Sequence, residues 1–301
     1  MPVPERAQSM LFKPLLIGNG KIQLDHRVIF APLTRNRGTP LNTESTAEKP
    51  NRIWLPNDLM VEYYAQRATK GGLLITEGVP PSLEGNAMPG VPGLFIEEQK
   101  AGWTKIADAV HARGARIYMQ IWHSGRANIP HMTGSPIVSP SATPWDDPDA
   151  CFPYPAPHTT KHIRFRDFPP TELSVDHIKR TIEDYVRTAK WAVEDCGFDG
   201  VEVHGANGYL PEQFLASNVN KRTDAYGGSP EKRCEFVVEL MRELGKAIGD
   251  ENLAIRLSPF GLFNQNRSEQ RLETWTTLCR KLKDAHPGLS YVSFIEPVSL
   301  Q

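Results

Sequence analysis

The sequence predicts an α/β protein built on a parallel sheet, and three observations carry that expectation. Six short apolar segments alternate with helix-like stretches along most of the chain, the pattern of strand–helix units in a parallel sheet. The segments lack a polar face, as strands covered on both sides do. The helix-like stretches also carry start and stop signals in the expected places.

In chain order, Leu15-Leu16-Ile17 and Ile22-Gln23-Leu24 flank Gly18-Asn19-Gly20, a strong hairpin signal. Strand one is expected over 28–34, a helix over 58–68 and strand two over 73–79. A helix over 97–113 places Trp103, Ile106, Ala107 and Val110 on one face, and Gly114 ends it. Strand three is expected over 116–123. The clearest helix covers 174–196: Ser174 caps it, Ile178, Ile182, Tyr185, Ala189 and Val193 form its stripe, and Gly197 terminates it. Strand four (200–205), a helical run (230–248), strand five (253–259), a helix (272–285) and strand six (291–297) complete the alternation.

The 301 residues carry 34 Lys and Arg against 35 Asp and Glu, a net charge of -1. No single-sign field draws in nucleic acid or an anionic membrane, so neither is expected as a partner. With 40% hydrophobic and 23% charged residues the composition is globular. No apolar run approaches the length of a membrane helix, and the first ten residues lack the apolar core of a secretory signal. Cys151, Cys196, Cys234 and Cys279 are scattered without metal-binding spacing. A cytoplasmic protein without a metal site is the expectation. A single domain over 1–301 is expected, interrupted at 127–170 by a proline-rich stretch holding His131 and His158. A long aperiodic stretch inside a domain reads as a functional excursion.

In parallel α/β folds the active site lies beyond the carboxyl ends of the strands. Those ends are rich in hydrogen-bonding side chains here: Thr34 and Arg35, Thr76-Glu77-Gly78, Gln120 through Arg126, His204 through Leu210, and Arg256 through Pro259. His204, Asn207 and Tyr209 offer an imidazole, an amide and a phenol around a glycine, a grouping suited to gripping a carbonyl oxygen and delivering a proton nearby. Taken in isolation, the same three residues equally describe a buried histidine, a turn asparagine and a core tyrosine.

Several segments in order resemble the old yellow enzyme family of flavin-dependent ene-reductases. They are Ala31-Pro32-Leu33-Thr34-Arg35, Glu62-Tyr63-Tyr64 with Gln66-Arg67-Ala68, and Gly71 through Glu77. Gln120-Ile121-Trp122-His123, His204 through Leu210, Gln213-Phe214-Leu215 and Asn220 through Ser229 complete the set. The resemblance runs from about Leu11 to Pro297 and implies a (β/α)8 barrel with FMN. Hydride would pass from NADPH to the β-carbon of an α,β-unsaturated carbonyl compound, an enone or enal. It implies a cofactor site of Pro32, Thr34, Gly71, Gln120 and Arg256, with Thr34 near the reactive ring nitrogen, Gln120 on the pyrimidine edge and Arg256 beside charge that grows there. His204 and Asn207 would hold the substrate carbonyl, Tyr209 would protonate the α-carbon and Trp122 would shape the pocket. Plainer roles stay open: Thr34 as a strand-end cap, Arg256 in a structural ion pair, Trp122 as core. The loop from Arg222 to Gly228 reads as a packed rim element.

The alternation reaches only a sixth strand, so the sequence is expected to form a barrel short of its last two units. Barrels generally bind phosphate after strands seven and eight. The sheet edges at strands one and six would then need cover. A fragment, a homo-oligomer or completing chain, and a flavin-free relative that binds a small carbonyl ligand or a partner are the alternatives.

Overall fold

Six strands run parallel and pair in chain order: Ile29–Phe30, Leu73–Val79, Arg116–Ile121, Gly200–Gly205, Leu253–Leu257 and Tyr291–Phe294. The structure, a computed structural model, describes residues 9–296. The strand order never reverses, so the sheet has no switch point of the doubly wound kind and winds in one direction like part of a barrel. All six carboxyl ends therefore meet at one rim.

Helices cover the outer face. Trp103, Ile106 and Val110 from Glu97–His111, Ile178, Ile182 and Tyr185 from Val175–Lys190, and Phe236, Leu240 and Leu244 from Glu235–Ile248 pack on Leu74, Ile117, Met119, Val201, Val203 and Ile255. Each such side chain, fully buried, contributes about 1.5–3 kcal/mol. Ser174 caps its helix by accepting from the His177 N–H. That helix continues past Lys190 as a π-helical turn, Trp191–Asp195, before Gly197 turns the chain at φ 77°.

The expected hairpin forms, with Leu15–Ile17 antiparallel to Ile22–Leu24. It plugs the amino end of the sheet, where Ile17, Ile22 and Leu24 pack on Leu73, Ile75, Tyr118 and Ala254. Gly18 makes the plug possible: it sits at φ 60°, and a Cβ there would stand 2.4 Å from the Glu251 carbonyl oxygen. Gly18→Ala is expected to lose about 1–3 kcal/mol of folding free energy, measured by urea denaturation beside the unaltered protein.

The strands are shorter than their apolar runs. The run at 28–34 pairs only over Ile29–Phe30, 116–123 over Arg116–Ile121, and 253–259 over Leu253–Leu257. Trp122 and His123 lie past the strand's end yet are only 3% and 1% exposed: the Trp122 N–H still donates to the Val79 carbonyl at 3.0 Å, and the His123 carbonyl accepts from the Leu210 N–H at 3.0 Å. Strand six pairs over Tyr291–Phe294, and its expected end at Pro297 lies outside the described residues. The run at 230–248 divides into Pro230–Arg233 and Glu235–Ile248 at Cys234.

The stretch 127–170 is packed despite its aperiodic sequence. Val138–Ser139 pairs with Thr171–Glu172, Cys151 bridges to Arg164, and Trp145 stacks on Phe165 at 4.0 Å. Arg222 ties the 222–228 loop to it by donating to the carbonyls of Pro140 (2.8 Å) and Leu173 (2.6 Å) and pairing with Asp224. Among the described residues no helix is long and apolar enough to cross a membrane, and no cluster of three or more His, Cys, Asp or Glu is placed to hold a metal.

Candidate active site

Side chains two apart on a strand share a face, and that period builds the site in layers. Tyr118, Gln120 and Trp122 follow one another toward the rim, as do Glu202 and His204, and Ala254 and Arg256. Register aligns them across the sheet: Gln120 lies opposite Gly78 and Glu202, and Arg256 lies opposite His204 and Ser293. The bottom layer is apolar and meets the hairpin, and the layers above it are polar. A bulge between Ile75 and Gly78 brings Gly78 level with Gln120.

The rim forms a cleft lined by Pro32, Thr34, Gly78, Met88, Gln120, Trp122, His204, Asn207, Tyr209 and Arg256. All the expected site residues but one therefore meet in a single cavity. The exception is Gly71. It stands at the opposite, amino end of the Leu73–Val79 strand, its carbonyl accepts from the Asp25 N–H at 2.9 Å, and a Cβ there would run into Asp25. Gly71 is a turn residue at the plugged end, and the glycine at the cleft is Gly78. A Cβ at Gly78 would come within 3.0 Å of Trp122 Cβ.

Burial pushes the His204 imidazole down to about 3, with the Arg256 charge adding to the effect, so the ring is neutral at physiological pH. Its Nδ1 is buried without a protein partner, and so is Trp122 Nε1. Tyr209 packs edge-on against Trp122 at 5.1 Å and lies 5.3 Å from the His204 ring. Burial raises its hydroxyl to about 12, which keeps the phenol protonated and able to donate. Asn207 adopts φ 57° and Gly208 φ 69°, a left-handed turn that asparagine and glycine tolerate.

Gln120 is pinned twice: its amide Nε2 donates to Glu202 Oε1 at 2.7 Å, and its backbone N–H donates to Thr76 Oγ1 at 3.0 Å. Arg256 Nη1 donates to the neutral Ser293 hydroxyl at 3.0 Å, which leaves its charge available to the cleft. Thr34 is exposed at the mouth. A hydroxyl, a carboxamide and a guanidinium in one cleft suit the polar edge of a flavin ring, and the partnerless His204 Nδ1 and Trp122 Nε1 belong to the same lining. These residues fit an isoalloxazine ring.

Two lining residues have no site role in the sequence analysis. Gly78 closes the segment Thr76-Glu77-Gly78, so the strand-end rule itself could have found it. Met88 comes from the loop after the second strand and reaches the excursion, where the Tyr154 hydroxyl lies 3.9 Å from its sulfur; no local pattern marks it.

Residues 10–301 match the NADH:flavin oxidoreductase / NADH oxidase family. The flavin oxidoreductase hxnT of Emericella nidulans is 43% identical over 292 residues, covering 95% of this chain and 69% of that protein. The 12-oxophytodienoate reductase 1 of Oryza sativa subsp. japonica is 36% identical over 92% of this chain and 66% of its own length. Among solved structures, the old yellow enzyme homologue from Zymomonas mobilis superposes with a TM-score of 0.82 at 31% identity, over 95% of this chain and 73% of that one. The chain belongs to the NADH:flavin oxidoreductase / NADH oxidase family. Within it, the chain is an FMN-type oxidoreductase of the old yellow enzyme kind, and it spans about two thirds of the length of these curated relatives.

Proposed function

We propose that this chain holds FMN against the strand-end rim and reduces the carbon–carbon double bond of an enone or enal, with NADPH as the hydride donor. One observation carries the reading: His204, Asn207 and Tyr209 share a cleft with Thr34, Gln120 and Arg256. Bound FMN supplies a carrier that accepts hydride and releases it to the β-carbon. Gln120 and Thr34 orient the ring through its polar edge, and Arg256 favours negative charge there. The neutral His204 and the Asn207 amide donate hydrogen bonds to the substrate carbonyl oxygen, drawing electron density from the alkene so that its β-carbon accepts hydride. The Tyr209 hydroxyl then gives a proton to the α-carbon. Trp122 orients Tyr209 by the edge-on contact and walls the pocket.

The finer fold reading is a (β/α)8 barrel. Its support is the reversal-free strand order, together with an edge strand at Tyr291–Phe294 whose Val292 and Phe294 are 38% and 52% exposed. Further strands, from this polypeptide, a second copy or another chain, would pair there and bring the phosphate site expected after strands seven and eight. Residues 1–301 would form one domain, with the 127–170 excursion shaping substrate entry through Tyr154 and Met88. The four thiols, all free, suit a cytoplasmic setting.

The test is FMN titration of the purified protein followed by NADPH consumption with cyclohex-2-enone; a colourless protein that stays inactive in excess FMN overturns the reading. Arg256→Met is expected to weaken FMN binding about 10–100-fold, the loss of one charge-assisted contact, read from quenching of flavin fluorescence.

A further inference from the structure

Asn207 depends on a backbone turn that needs support, because two successive residues hold positive φ. The support comes from below the cleft. The Asn207 N–H donates to Ser258 Oγ at 2.8 Å, and the Ser258 hydroxyl donates to the two carboxylate oxygens of Glu212 at 2.9 and 3.0 Å. The Gly208 N–H donates to Glu212 Oε2, and Asn264 Nδ2 closes the turn from the other side by donating to the Asn207 carbonyl at 2.9 Å. Glu212 and Ser258 are each 1% exposed. The donors that tie Glu212 to the turn are a hydroxyl and a peptide N–H, both neutral, with the Asn266 side chain and the Arg271 charge as its further support, and an anion buried largely on neutral partners is costly.

We propose that Glu212 is a positioning residue: through Ser258 and the Gly208 amide it holds the left-handed turn that presents the Asn207 carboxamide to the cleft beside His204. The proposal rests on the carbonyl-gripping role given to Asn207. An ionised carboxylate accepts from both donors at full strength, whereas protonation converts one oxygen into a donor and loosens the grip. Burial pushes the Glu212 carboxyl up to about 7; the Gly208 N–H, Ser258, Asn266 and the Arg271 charge are the groups that oppose the rise. The turn is therefore held most firmly above about pH 7 and relaxes as pH falls through that value.

Backbone amide exchange tests the clamp without any catalysis. In Glu212→Gln and in Ser258→Ala, the Asn207 and Gly208 amides should exchange about tenfold faster, while Ser258→Thr, which keeps the hydroxyl, restores the slow rate. Unchanged exchange in both disruptive variants overturns the proposal. Kinetics supply the second arm. KM for cyclohex-2-enone should rise about tenfold in either variant and no further in the double variant, with NADPH oxidation in the absence of enone unaltered. The rise in KM of the unaltered enzyme below about pH 7 should be missing in Glu212→Gln. Equal losses with and without enone, or a pH profile shared by enzyme and variant, would assign Glu212 a merely structural role. An unaltered protein that binds FMN but turns over no enone overturns the functional reading instead, and with it the role of the turn in gripping substrate, even where amide exchange responds as expected.

Discussion

Replacing His204 and Asn207 together with alanine is expected to lower kcat/KM for cyclohex-2-enone by about 10³-fold or more, since one preorganised oxyanion donor is commonly worth about 10²–10³-fold. The effect should be large because both donors are already in place before substrate arrives. His204 is held neutral by burial, its Nδ1 has no competing protein partner, and the Asn207 turn is fixed through its backbone. Little reorganisation is needed when negative charge develops on the carbonyl oxygen. Stopped-flow measurement separates the two half-reactions: NADPH oxidation should keep its rate, and reoxidation by enone should lose it. A variant slowed equally in both would remove the pair from the carbonyl-gripping role.

Tyr209→Phe is expected to slow alkene reduction by about 10²–10⁴-fold, the usual contribution of a positioned general acid. The ring packing survives the change, because the edge-on contact with Trp122 at 5.1 Å involves the aromatic body and not the hydroxyl. Stability should therefore be nearly untouched, and loss of rate reports the proton. Because burial raises the phenol to about 12, the rate of the unaltered enzyme should show no inflection from Tyr209 between pH 6 and 9. Full-speed reduction by the phenylalanine variant would mean that solvent or another group supplies the α-proton.

The site was legible where chemistry follows a strand directly. His204 and Arg256 are strand residues, Asn207 and Tyr209 come within four residues of the end of theirs, and Gln120 and Trp122 straddle the end of another. The strand ends placed them among the candidates, and the family resemblance singled them out and gave them their roles. Gly71 went astray because glycines stand at both ends of one strand, and the Gly71-Gly72 pair stands out more than the lone Gly78. The strand-end rule favours Gly78, and the bulge between Ile75 and Gly78 brings it level with Gln120. Glu212 and Ser258 were missed for a different reason: the hydrogen bond that unites them spans 46 residues, so no local spacing announces it. The excursion resisted reading because its order comes from contacts such as Trp145 on Phe165 and not from a repeating apolar face.

The amino-acid sequence alone determined the alternation of strands and helices, the hairpin, the caps at Ser174 and Gly197 and the residue types at the rim. Each depends on neighbours a few positions apart, through backbone preference and the periods of helix and strand. Tertiary structure alone decided which of those side chains stand at the same height. His204 faces Arg256 and Gln120 faces Glu202 because strands separated by whole helices settle into register by packing their apolar layers, and that alignment is a property of the assembled core that no single segment contains.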